Sequence, residues 1–280
     1  MQAMIERELT SFLDKLGLTE EPMGLVYSDR MPEGAISPPA MEPPTPEREQ
    51  RGEINWQAVF ASFSCVMGVI WRARQKKTAA VFAAEQPGCP GGSFFLGYHK
   101  PQTETILRYV TSGIPGWSEG EHYCESPEAL RAIFTTLDPC PAPGKYCIIK
   151  PLRQFKGEEE PSLVIFFTRP EPLCGLHQLA TFVTNDPEVV MSPWAAACGS
   201  IAAWPFHYLG RGAVKAVLGG WDPSARKFFR PDELSFTVPF GMFVSMLERY
   251  RDSFLMTDTW NIVAKKAARS ERTWGARSNG

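Results

Sequence analysis

Apolar residues at Ile5, Leu9, Phe12, Leu13 and Leu16 recur at helical spacing, and Gly17 stands where such a helix would stop. The chain therefore opens on an amphipathic helix. Met23 to Tyr27 reads as a short strand. Pro32, Pro38, Pro39, Pro43, Pro44 and Pro46 then follow within Met31 to Arg48 and oppose any regular element. That segment is expected to be an exposed connector. Asn55 is placed to cap a helix reaching Arg74, with Val59, Phe63, Val66 and Ile70 on one apolar stripe and Cys65 on the neighbouring face with Ser62 and Val69. Thr78 to Ala84 is strand-like, Gly88-Cys89-Pro90-Gly91-Gly92 forms a turn, and Ser93 to Tyr98 resumes an extended pattern.

Two further helices are predicted over Thr103 to Val110 and Pro127 to Leu137. The cluster Asp138-Pro139-Cys140-Pro141-Ala142-Pro143-Gly144 then breaks the chain before a strand over Lys145 to Lys150. Ser162 to Thr168 is a β-branched and aromatic run of core-strand type. Helices are predicted over Pro172 to Val183 and Trp194 to Tyr208, and strands over Ala213 to Leu218 and Leu234 to Val238. Pro239 suits the first position of a last helix whose Phe240, Phe243, Val244 and Leu247 share a face.

The order helix, strand, turn, strand occurs twice. The interval from Cys65 to Cys89 equals that from Cys198 to Asp222, and Asp222-Pro223-Ser224-Ala225-Arg226-Lys227-Phe228-Phe229 partly echoes Cys89-Pro90-Gly91-Gly92-Ser93-Phe94-Phe95. The fold class read from this order is α/β, with mixed α+β as its neighbour: two pseudo-repeated halves of sheet covered by helices, with a cleft between them. The halves would be residues 1–160 and 161–255. Residues 256–280, with Lys265, Lys266, Arg269, Arg272 and Arg277 against Glu271, read as a basic, flexible tail.

Composition narrows the function classes. The chain has 280 residues, 44% hydrophobic and 21% charged, with a formal net charge of −2, ample for a large core and without the basic excess of a nucleic-acid binder. No nucleic-acid or membrane partner is expected. The acidic, amphipathic start does not resemble a signal peptide, and the apolar run Phe60 to Trp71 is too short to cross a bilayer. An odd count of 7 cysteines without an export signal argues against a disulfide framework and for a cytoplasmic location.

Several motifs together resemble one family: Leu16-Gly17-Leu18 with Glu21-Pro22-Met23-Gly24, Phe63-Ser64-Cys65-Val66-Met67, Gly88-Cys89-Pro90-Gly91-Gly92 leading into Leu96-Gly97, Leu163 to Phe167, and Ala195-Ala196-Ala197-Cys198. In this order they look like the uncharacterised prokaryotic proteins catalogued as domain of unknown function 169, over Leu9 to Glu248. That resemblance implies a further cysteine just before the second turn, where this chain carries Trp221.

Thiolates suit zinc and iron–sulfur clusters, so Cys65, Cys89 and Cys198, with Asp222, form a candidate metal set; three thiolates fit a cluster better than a structural zinc, which wants four ligands. The leading expectation is a cytoplasmic iron–sulfur protein with a redox or cofactor-related role and an electron-transfer partner, zinc being the alternative metal. Glycines at Gly91 and Gly92 would let backbone N–H groups approach cluster sulfur. The competing expectation is a non-catalytic module that binds a small anionic molecule with Arg226, Lys227 and the Gly91-Gly92 backbone. Trp194, Trp204, Trp221 and Phe206 are candidates for an apolar pocket wall. A third reading makes Cys89 a nucleophile served by His99, His177 or His207. The plainer alternative leaves Cys65 and Cys198 as small core residues and Cys89 as a turn residue.

Overall fold

The computed structural model describes residues 2–100 and 103–277. Helix α1 (Gln2–Leu16) buries Ile5, Leu9, Phe12 and Leu16, and ends where Gly17 takes a left-handed backbone. Strand β1 (Met23–Ser28) follows. The proline-rich segment is less open than its composition suggests. Ile36 bridges to Ala80, the Met41 N–H donates to the Glu85 carbonyl, and Met41 is buried, so this stretch covers a sheet edge that would otherwise expose unpaired backbone. It ends in a short helix, α2 (Pro46–Gln50), capped by Thr45.

The single helix predicted from Asn55 to Arg74 is two. Asn55 caps α3 (Trp56–Ala61), and Cys65 stands at the N-cap of α4 (Val66–Lys76). The break has a local cause: the Ser62 hydroxyl donates to the Val59 carbonyl, and the Ser64 N–H donates outside the helix to the Gly88 carbonyl. After β2 (Ala80–Phe82), the expected strand Ser93 to Tyr98 is instead the end of a helix, α5 (Pro90–Phe95), and the turn after it, with Cys89 as N-cap and Pro90 in the first helical turn. Then come α6 (Glu104–Val110), α7 (Pro127–Thr136), β3 (Tyr146–Pro151), β4 (Leu163–Thr168), α8 (Pro170–Thr184) and the short β5 (Val190–Met191). Ala197 begins a helix that passes through a π-turn, Gly199–Ala203, into α9 (Trp204–Gly210). Strands β6 (Ala216–Gly219) and β7 (Leu234–Pro239) precede α10 (Phe240–Arg249) and α11 (Asp258–Arg277). Pro239 closes its strand and caps α10 instead of entering it. Where a flexible tail was expected, residues 258–277 are helical; residues 278–280 of that stretch lie outside the described ones.

The seven strands form one sheet in the order β2-β3-β1-β4-β7-β6-β5, antiparallel except for the β5·β6 pair. The α/β class is thus as read, but the sheet is continuous. The order does not establish two copies of one unit, because β2 reaches β3 through α5, α6 and α7, whereas β6 reaches β7 through a loop that holds only a single 3-10 turn, Arg226–Phe228. Alternation along β4 assigns Leu163, Ile165 and Phe167 to one core and Val164 and Phe166 to another, the pattern of a strand buried on both faces. Helices α1, α8 and α10 cover the second face. Helices α4, α5 and α9 cover the first, and the candidate site lies at its outer margin.

Candidate functional site

The entrances to α4 and α5 meet in space because a backbone bond ties their loops together. The Ser64 N–H donates to the Gly88 carbonyl at 2.7 Å, which sets the entrance to α4 against the entrance to α5. Gly88 has φ +87°, and a Cβ there would lie 2.4 Å from the Ser64 carbonyl oxygen, so only glycine fits. Cys89 then caps α5, its Sγ accepting from the Gly92 N–H at 3.2 Å. Gly92 is needed for close packing, since an added Cβ would fall 2.4 Å from the Pro87 carbonyl and 2.6 Å from Val66.

On the other side, the carboxylate of Asp222 sits at the start of the helix that begins at Ala197, accepting its N–H at 3.2 Å on Oδ2. Its Oδ1 accepts from the Ser224 N–H at 3.0 Å, the Ser224 hydroxyl at 2.9 Å and the Tyr123 hydroxyl at 3.2 Å. Asp222 therefore clamps the β6–β7 turn to the helix and to the loop before α7. Directly after Cys198, the π-turn widens the helix where Gly199 packs against Phe95; a Cβ at Gly199 would lie 2.8 Å from that ring.

These pieces enclose a cavity of about 690 Å³. Its walls are Phe63 to Gly68 from the α3–α4 junction, Cys89 to Gly91, Phe95 of α5, Ile106, Leu107, Tyr109 and Val110 of α6, Leu130 and Phe134 of α7, Ser192 to Ala196 with Cys198, and Trp221 to Ser224 with Lys227 and Phe228. Glu121 and Tyr123 also face it. They reach it together because residues 121–123 pair with 109–111: the N–H groups of Glu121, His122 and Tyr123 donate to the carbonyls of Tyr109, Thr111 and Val110. His122, with φ 51°, is left exposed between them.

Burial governs the acid–base state of this site. It raises the Cys65 thiol, pushes Cys89 up to about 12, and raises Cys198 well beyond the ordinary range, with Cys89 and Cys65 adding to the effect on Cys198. All three sulfurs are neutral thiols at neutral pH. Burial, aided by the charge of Asp222, also lifts the Glu121 carboxyl to about 7. Tyr109 and Tyr123 are raised by burial as well, with Glu121 next for Tyr109.

Cys65, Cys89, Cys198 and Asp222 line this one cavity, as do Gly91 and Lys227; Gly92 and Arg226 are not in its wall. The metal-centre expectation is nevertheless overturned. Among the described residues no three His, Cys, Asp or Glu side chains are grouped to hold a metal ion. The local chemistry agrees: Asp222 is occupied by four protein donors, Cys89 Sγ accepts from Gly92, and burial keeps the thiols protonated. The iron–sulfur centre, its zinc alternative and the redox role that rested on them have no support.

The two cations expected of an anion module are placed differently. Arg226 spends its guanidinium on the carbonyls of Gly220, Glu233, Arg230 and Pro231 at 2.6–3.2 Å. Lys227 is exposed at the cavity rim, 5.3 Å from the centre of the Phe228 ring. Nor do His99, His177 and His207 serve Cys89, since none of them lines the cavity. Of the expected aromatic wall, Trp194 and Trp221 take part, while Trp204 packs in the core. Sequence reasoning missed Glu121, Tyr109 and Tyr123, which sit in or beside a loop without periodicity; the paired glycines Gly113 and Gly120 were the available signal.

A family model for domain of unknown function 169, described as an uncharacterised ArCR family, matches residues 11–249. The chain belongs to that family. No curated protein and no solved structure matches it. The match to domain of unknown function 169 includes every residue of the cavity wall and excludes α11. Among the described residues no helix is long and apolar enough to cross a membrane.

Proposed function

We propose that this member of domain of unknown function 169 binds a small, mainly apolar molecule of one or two rings in the cavity between α4, α5, α6 and the β6–β7 turn. The observation that carries the reading is the cavity itself: about 690 Å³, walled by Phe63, Phe95, Phe134, Phe228, Trp194 and Trp221, with few polar groups facing inward. Small-molecule sites commonly occupy about 300–1,000 Å³ and combine apolar walls with a few convergent polar groups. Here the convergent groups are Glu121, Tyr109, Tyr123 and the three thiols. Protonated thiols are weak nucleophiles, so the sulfurs act in this reading as polarisable wall rather than as reactive groups.

Thermal unfolding with 1-naphthylmethanol as a neutral probe tests the proposal. Saturable stabilisation is expected, reaching about 2.7 kcal/mol at a hundredfold excess over the dissociation constant. Val110→Trp, which projects an indole into the cavity from α6, should abolish it without unfolding the protein. An equal response in the variant places the probe elsewhere, and no saturable response to the probe or its charged analogues ends the reading.

A further inference from the structure

The charged groups of this cavity are sorted by depth. Arg72 and Lys227 are exposed at its rim, whereas Glu121 and Asp222 are half-buried in its wall. The two acids are not equivalent. Asp222 accepts four hydrogen bonds from protein donors, while among the described residues no donor reaches the Glu121 carboxylate. A carboxylate held in an aromatic-lined cavity without a protein partner costs free energy unless something supplies a positive charge or a hydrogen-bond donor. Around it, Tyr109, Tyr123 and the neutral thiol of Cys89 offer no cation, and Asp222 adds a second negative charge. Aromatic faces themselves attract cations through their quadrupole. The acids and aromatic rings of the wall thus favour a cation, with Arg72 and Lys227 confined to the rim.

The geometry points to an organic cation as the ligand of this site: a ring-bearing amine whose apolar body fills the aromatic cavity and whose protonated nitrogen pairs with Glu121. This rests on the small-molecule reading above and names its substrate class. The loop supports the role, because backbone pairing of Glu121 to Tyr109 and of Tyr123 to Val110 fixes both side chains towards the cavity before any ligand arrives. The raised carboxyl of Glu121 is the signature of an acid kept short of its counter-charge.

Titration calorimetry at about pH 8 with 1-naphthylmethylamine, 1-naphthylmethanol and 1-naphthylacetate separates the inference from its foundation, since the three share one ring system and differ in charge. The amine is expected to bind at least about tenfold more tightly than the alcohol, and the acetate least. Glu121→Gln should remove the preference of the site for the amine over the alcohol, bringing the two to within about twofold of one another. Alcohol and amine binding equally well would overturn the cation assignment and leave the apolar cavity standing. A Glu121→Gln variant that weakens both probes alike would also overturn it, because the carboxylate would then serve the fold and not the charge. Failure of all three probes would remove the binding reading and the inference together.

Discussion

Glu121 concentrates the conflict between folding and binding at the scale of one residue. Its carboxyl lies at about 7 in the folded chain against an ordinary 4.5, so the folded state holds the proton more tightly than the unfolded state between those limits. The sign follows directly: stability is unaffected by this group below about 4.5, falls as pH rises from there to about 7, and levels off beyond it. Glu121→Gln is therefore expected to match the parent protein in acid and to be the more stable of the two at about pH 8, with the gap opening across the intervening range. Urea midpoints measured at several pH values check this, and a gap that is constant with pH would show the carboxyl to be unperturbed. Nothing in the neighbouring residues announces the shift. Cys65, Cys89, Cys198 and Asp222 were legible as companions because their intervals repeat, but their protonation and hydrogen bonds were not, being set by residues from other segments.

Among the elements, α5 shows how local pattern and tertiary demand diverge. Pro90 after Cys89 is a sound helix start, yet Gly91 and Gly92 have the weakest helix propensity of ordinary residues, so the stretch reads as a turn. Packing decides otherwise, since Gly92 must lie against the Pro87 carbonyl and Val66 while Gly91 meets only Cys89 Sγ at 3.9 Å. The two glycines should respond in opposite ways. Gly92→Ala is expected to destabilise by about 1–3 kcal/mol through overpacking, whereas Gly91→Ala should be neutral or stabilise by up to about 1 kcal/mol. Thermal or urea unfolding of the pair decides, and equal effects would refute the packing assigned to α5. The split between α3 and α4 has the same origin. The apolar stripe from Val59 to Ile70 predicts one helix, but the bond from Ser64 to Gly88 diverts the backbone and turns Cys65 from a mid-helix residue into an N-cap.

The whole molecule is held by one sheet with a core on each face and by an ion cluster beside the first of them. Arg74 of α4 donates to Glu20 at 2.7 Å and 2.8 Å and to Glu233 at 2.6 Å and 3.1 Å, and stacks over Phe167 at 4.0 Å, joining the start of β1, the cavity-side helix and the entrance to β7. Removing the cation would leave Glu233, whose side chain is 3% exposed, as an uncompensated buried charge. Arg74→Met is expected to cost about 3–5 kcal/mol, and Arg74→Met with Glu233→Leu to recover much of that loss. A double variant no more stable than the single one would show the pair to be unimportant. At this scale the sequence by itself determined which faces are apolar: the stripe of α1 and the unbroken run of β4 follow from spacings of a few residues, which any short window contains. The α/β class and the family resemblance followed from the order of those windows. Only the tertiary structure decided what the site is. Its walls come from stretches scattered between Phe63 and Phe228, and its charge balance depends on which acids found donors and which were buried without them. Burial and long-range pairing are properties of the assembled chain, so no local pattern could contain them.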